Sequence, residues 1–289
     1  MFRLSATYLG LILQLALVSL LNAQRVIDCG ACHQAIAGEW RGSLHSRAWN
    51  TEAFRRDERV HTGLGGTSCG CHAPAAFVPD STGSKPSLRA DTLETGVDCI
   101  SCHMDRNLTA YSSGKTLTAP HWSRTEKTFS EGRFCTGCHS WGQEGNALCQ
   151  DCHMPQAAGP PSVASGAGPT GSHSSHRWPG SLDPEFVRQA QSLEAERGAQ
   201  GQLLLTLANL LSVHAFPQGT HRRAEVLLFG KDGKKPLWRQ ELRLAADSSA
   251  SYVIEPAAAP AGSRVELRYY PVPEVWPDSF YRLESRVIH

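Results

Sequence analysis

Charge of one sign is missing from this chain. Its 28 Lys and Arg stand against 27 Asp and Glu over 289 residues. That excludes a basic field for nucleic acid and a polybasic membrane patch. Methionine is scarce: Met1, Met104 and Met154 are all there are. Long apolar runs are missing too. The longest, from Leu9 to Leu21, has about the length of a signal-peptide core and is too short for a comfortable bilayer span. Leu, Ile, Val and Phe number 18 among the 133 residues of 24–156, about 14%. A stretch so poor in them reads as disordered unless something other than side chains fills its interior. Beyond Cys152 there is no cysteine.

What is present is ten cysteines in five pairs, each pair followed at once by histidine. They are Cys29/Cys32 with His33, Cys69/Cys71 with His72, Cys99/Cys102 with His103, Cys135/Cys138 with His139, and Cys149/Cys152 with His153. Four are CxxCH, the attachment signature of c-type haem. Each cysteine adds its sulfur to one haem vinyl group, and the adjacent histidine is carried under the iron. Structural zinc also uses CxxC pairs, and a disulfide framework uses paired cysteines. Neither explains a histidine after every second cysteine.

The second motif departs from the rule. Ser68 stands where the first cysteine of a CxxCH would be, so the pattern is CxCH. Both thioethers form on a tightened loop, or Cys71 alone attaches, or Cys69 and Cys71 stay reactive without haem. The expectation is a fifth haem c. Five porphyrins would supply the apolar interior that the side chains of 24–156 do not. This segment is expected to be mostly helix and coil, and not to fold without haem.

A proximal histidine leaves one axial position open on each iron. Met104 and Met154 directly follow proximal histidines and cannot reach the far side of the same haem. That favours bis-histidine, low-potential haems. Eight histidines lie outside the motifs: His45, His61, His121, His173, His176, His214, His221 and His289. The distal candidates are His45, on a helical-looking stretch after the first motif, His61 before the second, His121 before the fourth, and His176 and His214 further on.

The motifs resemble those of multihaem cytochromes of the cytochrome c554 family, in the group that includes nitrite reductase and hydroxylamine oxidoreductase haem cores. The residues carrying the likeness are Cys29-x-x-Cys32-His33 with Trp40-x-x-Ser43-x-His45-x-x-Ala48, then Gly96-Val97-Asp98-Cys99-Ile100-Ser101-Cys102-His103-Met104, and the fourth and fifth motifs ending Cys152-His153-Met154-Pro155. The resemblance implies that His45 is a distal ligand. It extends loosely to Ser175-His176-Arg177-Trp178-Pro179-Gly180 and to Asn209-x-x-x-x-His214-Ala215-Phe216-Pro217. Catalytic relatives of the nitrite reductase kind carry a CxxCK motif, and this sequence has none.

The chain divides as follows. Residues 1–23 are a signal peptide, with Ala23 before the cleavage point. Residues 24–156 form a pentahaem domain, and 157–172 are a Gly/Pro/Ser linker. Residues 173–289 form a β-rich domain. There Asp183-Pro184 reads as a helix start. Runs at 202–210, 224–229, 237–244, 251–255, 264–270 and 280–288 read as strands, with a hairpin turn at Lys231-Asp232-Gly233-Lys234. Residues 188–196 fit helix or strand. The fold class is α+β: a haem-wrapped helix and coil region, then a small antiparallel β-sandwich, immunoglobulin-like.

The functional expectation is an exported electron carrier, periplasmic or secreted, and not an enzyme. Its partners are other redox proteins, such as periplasmic or outer-membrane cytochromes or quinol-linked donors, and not nucleic acid. Two alternatives stand beside it. One is a reductase or oxidase of a small nitrogen or sulfur species at one five-coordinate haem. The other is a homo-oligomer that assembles into an extracellular haem filament.

Overall fold

The structure is a computed structural model. It describes residues 29–68, 70–76, 78, 85–107, 109–113, 121, 123–130, 133–139, 148–163, 171–219 and 221–289. The expected signal segment and Cys69 lie outside the described residues.

The fold is mixed α and β. The chain forms two compact units. One comprises Met1–Asn50, Gly65–Phe134 and Met154–Trp178; the other comprises Thr51–Leu64, Cys135–His153 and Pro179–His289.

The first unit is built of short helical turns and loops. Its helices are Cys29–Cys32, Gln34–Gly42 and Cys99–His103. Its strands are three residues long: β1 (Ala110–Ser112) pairs in parallel with β2 (Ser123–Thr125), and β3 (Gln156–Ala158) pairs antiparallel with β4 (Ser172–Ser174). Such brevity follows from the composition, because no apolar stripe is long enough to bury a regular element. The apolar cluster there is small: Val78, Tyr111 and Phe134, with Cys102 and Phe129 against it.

The described part of 157–172 is not free linker. The β3–β4 pair includes Ala157–His173 and Ala158–Ser172. Val163 N–H donates to the Cys32 carbonyl at 2.8 Å. Gly159 has φ of +117°, and a side chain at Gly171 would stand 3.0 Å from Pro160. Of the glycines that suggested slack chain, Gly159 and Gly171 serve a turn and a close approach.

The second unit holds the helix Glu52–Gly63, which is tied by Arg56 to the Glu274 carbonyl at 2.7 Å. It also holds two antiparallel sheets. In one the order is β11 (Tyr281–Val287), β10 (Arg264–Tyr270), β7 (Arg223–Phe229), β8 (Pro236–Leu242); in the other it is β5 (Gln191–Arg197), β6 (Leu203–Asn209), β9 (Ser249–Ile254). All six anticipated strands are present to within two residues. The ambiguous stretch divides. The helix Pro184–Arg188, capped by Asp183 accepting from Glu185 and Phe186, ends before β5 begins.

Both sheets contribute to one core. β6 alternates, with Leu203, Leu205 and Leu207 buried and Leu204 outward. These three pack in one cluster with Val226 and Leu228 of β7 and Val265 and Leu267 of β10. The outer face of the larger sheet carries two buried carboxylates. Glu225 is held by Arg223 and Arg239, and Glu266 by Arg264, Arg268 and Arg282. Arg268 also lies 5.1 Å over Phe229 and 4.2 Å over Phe280. The Arg268 guanidinium thus pairs with a buried carboxylate while its face covers two aromatic rings.

Candidate haem-binding site

Each CxxCH stretch folds as one helical turn. In Cys99–His103 the N-terminus is capped by Asp98, which accepts from the Ser101 backbone at 2.9 Å. His33 and His139 donate their backbone N–H to Cys29 and Cys135, each at 2.8 Å. One turn brings both thiols and the histidine to neighbouring positions on one side, which is what attachment to a single porphyrin needs. Among the described residues no disulfide joins the nine cysteines. No cluster of three or more His, Cys, Asp and Glu among them could hold a bare metal ion.

The second motif is tighter. Gly70, Cys71 and His72 form a 3₁₀ turn. A side chain at Gly70 would stand 2.1 Å from the Pro86 carbonyl oxygen and 2.7 Å from the Leu88 nitrogen. Only glycine fits between Cys69 and Cys71.

Three motif histidines donate through Nδ1–H to a backbone carbonyl: His33 to Pro161 at 2.7 Å, His103 to Tyr111 at 2.8 Å, and His153 to Pro179 at 2.7 Å. This fixes each ring and leaves Nε2 as the donor atom for a metal. His176 is held the same way by the Ser174 carbonyl at 2.7 Å. Burial holds His103 below the usual imidazole range and pushes His176 down to about 4. Both rings are therefore neutral at pH 7, the form that binds a metal.

Each of these motif histidines faces one of the anticipated distal histidines. The ring centroids are 6.4 Å apart for His33 and His121, 6.0 Å for His103 and His176, and 6.2 Å for His153 and His214. Two metal–imidazole bonds of about 2.0 Å, with a ring radius at each end, put axial ring centroids roughly 6 to 6.5 Å apart. The gaps thus fit one iron each. The residues present suit haem c in both ligand chemistry and spacing.

His214 is placed by Asn209 at the buried end of β6, whose amide donates to the carbonyls of His214 at 2.7 Å and Ala245 at 2.8 Å. His45 packs edge-on to Trp178 at 4.6 Å, and His176 packs on the same indole at 4.8 Å. Trp178 holds φ of +43°, a conformation costly for a bulky residue. His61 sits exposed in the last turn of Glu52–Gly63. His221 lies 3.8 Å from Glu274, exposed.

Two residues at this site were not anticipated as parts of it. His173 is buried, and Glu39 lies 3.3 Å from its Nε2. Neither belongs to a haem motif. The one signal in the sequence was position, with Glu39 beside Trp40 and His173 three residues before His176.

The thiols also meet between motifs. Cys99 hydrogen-bonds Cys29, and that contact, together with burial, raises its pKa. Burial and the neighbouring Cys149 and Cys138 push Cys135 up to about 12. The first motif is thereby beside the third, and the fourth beside the fifth.

Hydrogen bonds tie the Trp40–His45 stretch to the Arg89–Ser101 stretch. The Trp40 indole donates to the Val97 carbonyl at 2.8 Å, and Val97 N–H donates to the His45 carbonyl at 2.8 Å. Gly96, at φ of +65°, lets that carbonyl approach to where a side chain would be. Arg89 binds Asp98 at 2.6 Å and the Gly96 carbonyl at 3.0 Å. These residues lie within 28–104, which match the family described as "Cytochrome c554 and c-prime". Over this stretch the chain is cytochrome c554-like. The match covers about a quarter of the chain. No curated protein and no solved structure matches the chain. The c554-like stretch points to covalently bound haem c and to electron transfer as its use. Among the described residues no helix is long and apolar enough to cross a membrane.

Proposed function

We propose that this chain is an exported electron carrier that holds five haems covalently, each between two histidines. The observation that carries the reading is the set of three histidine pairs, with ring centroids 6.0–6.4 Å apart. In each pair one member follows a CxxC. The two remaining motif histidines take partners from their own compact unit, His72 with His45 and His139 with His61. That assigns three haems to the first unit and two to the second.

Bound haem supplies one-electron exchange between ferric and ferrous iron. The protein's own residues fix the rest. Nδ1 contacts to backbone carbonyls set the ring orientation, and burial lowers the pKa of His103 and His176, which keeps those two rings neutral. Were both axial sites filled by these nitrogens, potentials would be low and no position would be left for a small substrate. Thiol contacts between motifs one and three, and between four and five, support close haem neighbours for rapid transfer. The two sheets carry no cysteine, and their single motif-facing ligand is His214. They serve as a docking and ligand-supplying β-sandwich, immunoglobulin-like in plan. Partners are other redox proteins outside the cytoplasm.

The test is low-temperature EPR of the ferric protein, repeated with nitrite and with hydroxylamine, beside an intact-mass count of attached haems. Five haems, all low-spin and indifferent to both additions, are expected. A high-spin signal that shifts on addition would overturn the carrier reading in favour of chemistry at an open iron. Four haems would leave the CxCH site empty.

A further inference from the structure

We propose that Glu39 and His173 are positioning residues that hold His176 in place as the distal ligand of the third haem. The inference rests on the bis-histidine reading above. Glu39 lies in the helix Gln34–Gly42, which directly follows the first haem motif. One of its carboxylate oxygens, Oε2, accepts the backbone N–H of His176 at 2.8 Å and lies 3.3 Å from His173 Nε2. The side chain of His173 is 3% exposed. Its other ring nitrogen, Nδ1, lies 3.0 Å from the Gly159 carbonyl, at the turn end of β3. Ser175 N–H donates to the Pro155 carbonyl at 2.8 Å.

The chain from β4 into His176 is thus fastened at three points. Glu39 pins the backbone at His176 itself. His173 spans from that same carboxylate to the opposite strand of the hairpin. The Pro155 carbonyl secures the residue between them. Beyond these, the Ser174 carbonyl sets the His176 ring.

An axial ligand on a loop needs such support. Displacing a ring by 1 Å weakens a metal bond far more than it disturbs packing. Three clamps converge on the backbone that carries one imidazole, and a half-buried carboxylate serves two of them. Charge-assisted hydrogen bonds of this kind are about twice as strong as neutral ones. The structural alternative is that Glu39 merely satisfies a buried His173. It does not explain why the same oxygen takes the backbone N–H of the residue that faces His103.

The experiment is EPR and magnetic circular dichroism of the ferric holoprotein in four variants: His176→Ala, Glu39→Ala, Glu39→Gln and His173→Ala. His176→Ala is expected to turn one of five haems high-spin. Glu39→Ala and His173→Ala are expected to give the same high-spin signal at partial occupancy. Glu39→Gln keeps an acceptor oxygen for the His176 N–H and is expected to restore the low-spin signal. If His176→Ala opens a haem and Glu39→Ala leaves all five signals unchanged, the clamp is overturned while the ligand reading stands. If His176→Ala opens none, the ligand reading falls and the clamp with it. Should Glu39→Ala not accumulate, Glu39→Asp, which retracts the carboxylate by one methylene, is expected to shift the signal of one haem alone. No shift in any of the five would overturn the proposal.

Discussion

The two sheets and the motif-bearing loops fill their interiors with different material. Around β6, β7 and β10 the interior is leucine and valine, with Leu203, Leu205, Leu228 and Leu267 fully buried. Around the motifs the apolar cluster is Val78, Tyr111 and Phe134. Even there, Cys102 belongs to a motif and Phe129 stacks on His103 at 5.1 Å. One region makes its core from side chains. The other sets three pairs of histidine rings 6.0–6.4 Å apart, a spacing that suits a metal at the centre of a flat aromatic group. The difference teaches that low apolar content signals disorder only where no cofactor supplies the missing surface.

The comparison breaks most visibly if haem is withheld. With all ten cysteines replaced by serine, amide protection in 29–50 and 85–113 is expected to fall by about 100-fold or more, while β6, β7 and β10 stay protected. Hydrogen exchange read by mass spectrometry separates the two regions. Equal protection in both would mean that the loops fold without the cofactor.

The reverse test strikes the other core. Leu205→Ala is expected to cost about 2–5 kcal/mol, read as a lower urea midpoint for the β-region fluorescence. The first four haem signals along the chain should keep their EPR positions, since their ligands lie outside the sheets. A shift in the His33/His121 or His103/His176 haem would show that the regions depend on one core.

A smaller effect sharpens the picture at alkaline pH. Burial among the core residues pushes Tyr269 up to about 12 from its ordinary 10.0. A folded-state pKa above the unfolded one contributes stability that is full below pH 10 and is lost as pH rises through about 12. Tyr269→Phe is expected to flatten that loss. Tyrosinate absorbance during a pH titration checks it: ionisation of Tyr269 near 10 would contradict the burial.

Much of this was legible in the sequence, and the part that was not has a physical reason. Alternation marked β6, because Leu203, Leu205 and Leu207 face inward while Leu204 faces out. Asp183-Pro184 announced its helix, because capping is a local interaction. The CxxCH motifs mark the candidate proximal histidines locally, since the pattern is written within five residues. The distal set was a choice among eight histidines. Pairing depends on contacts between distant segments, such as Asn209 aiming His214, and spacing does not encode them. Glu39 and His173 carry no local signal for the same reason, being two ordinary residues 134 positions apart. At 157–163 and 171–172 the composition suggested slack chain, yet glycine and proline serve tight turns there as readily.

The three histidine pairs have a consequence for how the chain is held together. They span 33–121, 103–176 and 153–214. Each span opens before the previous one closes. With iron joining each pair, every peptide bond between His33 and His214 lies inside at least one closed ring. A single proteolytic nick in that stretch would open a ring and free nothing. The nicked protein would keep its mass in native solution and separate into fragments only where the axial ligands are displaced.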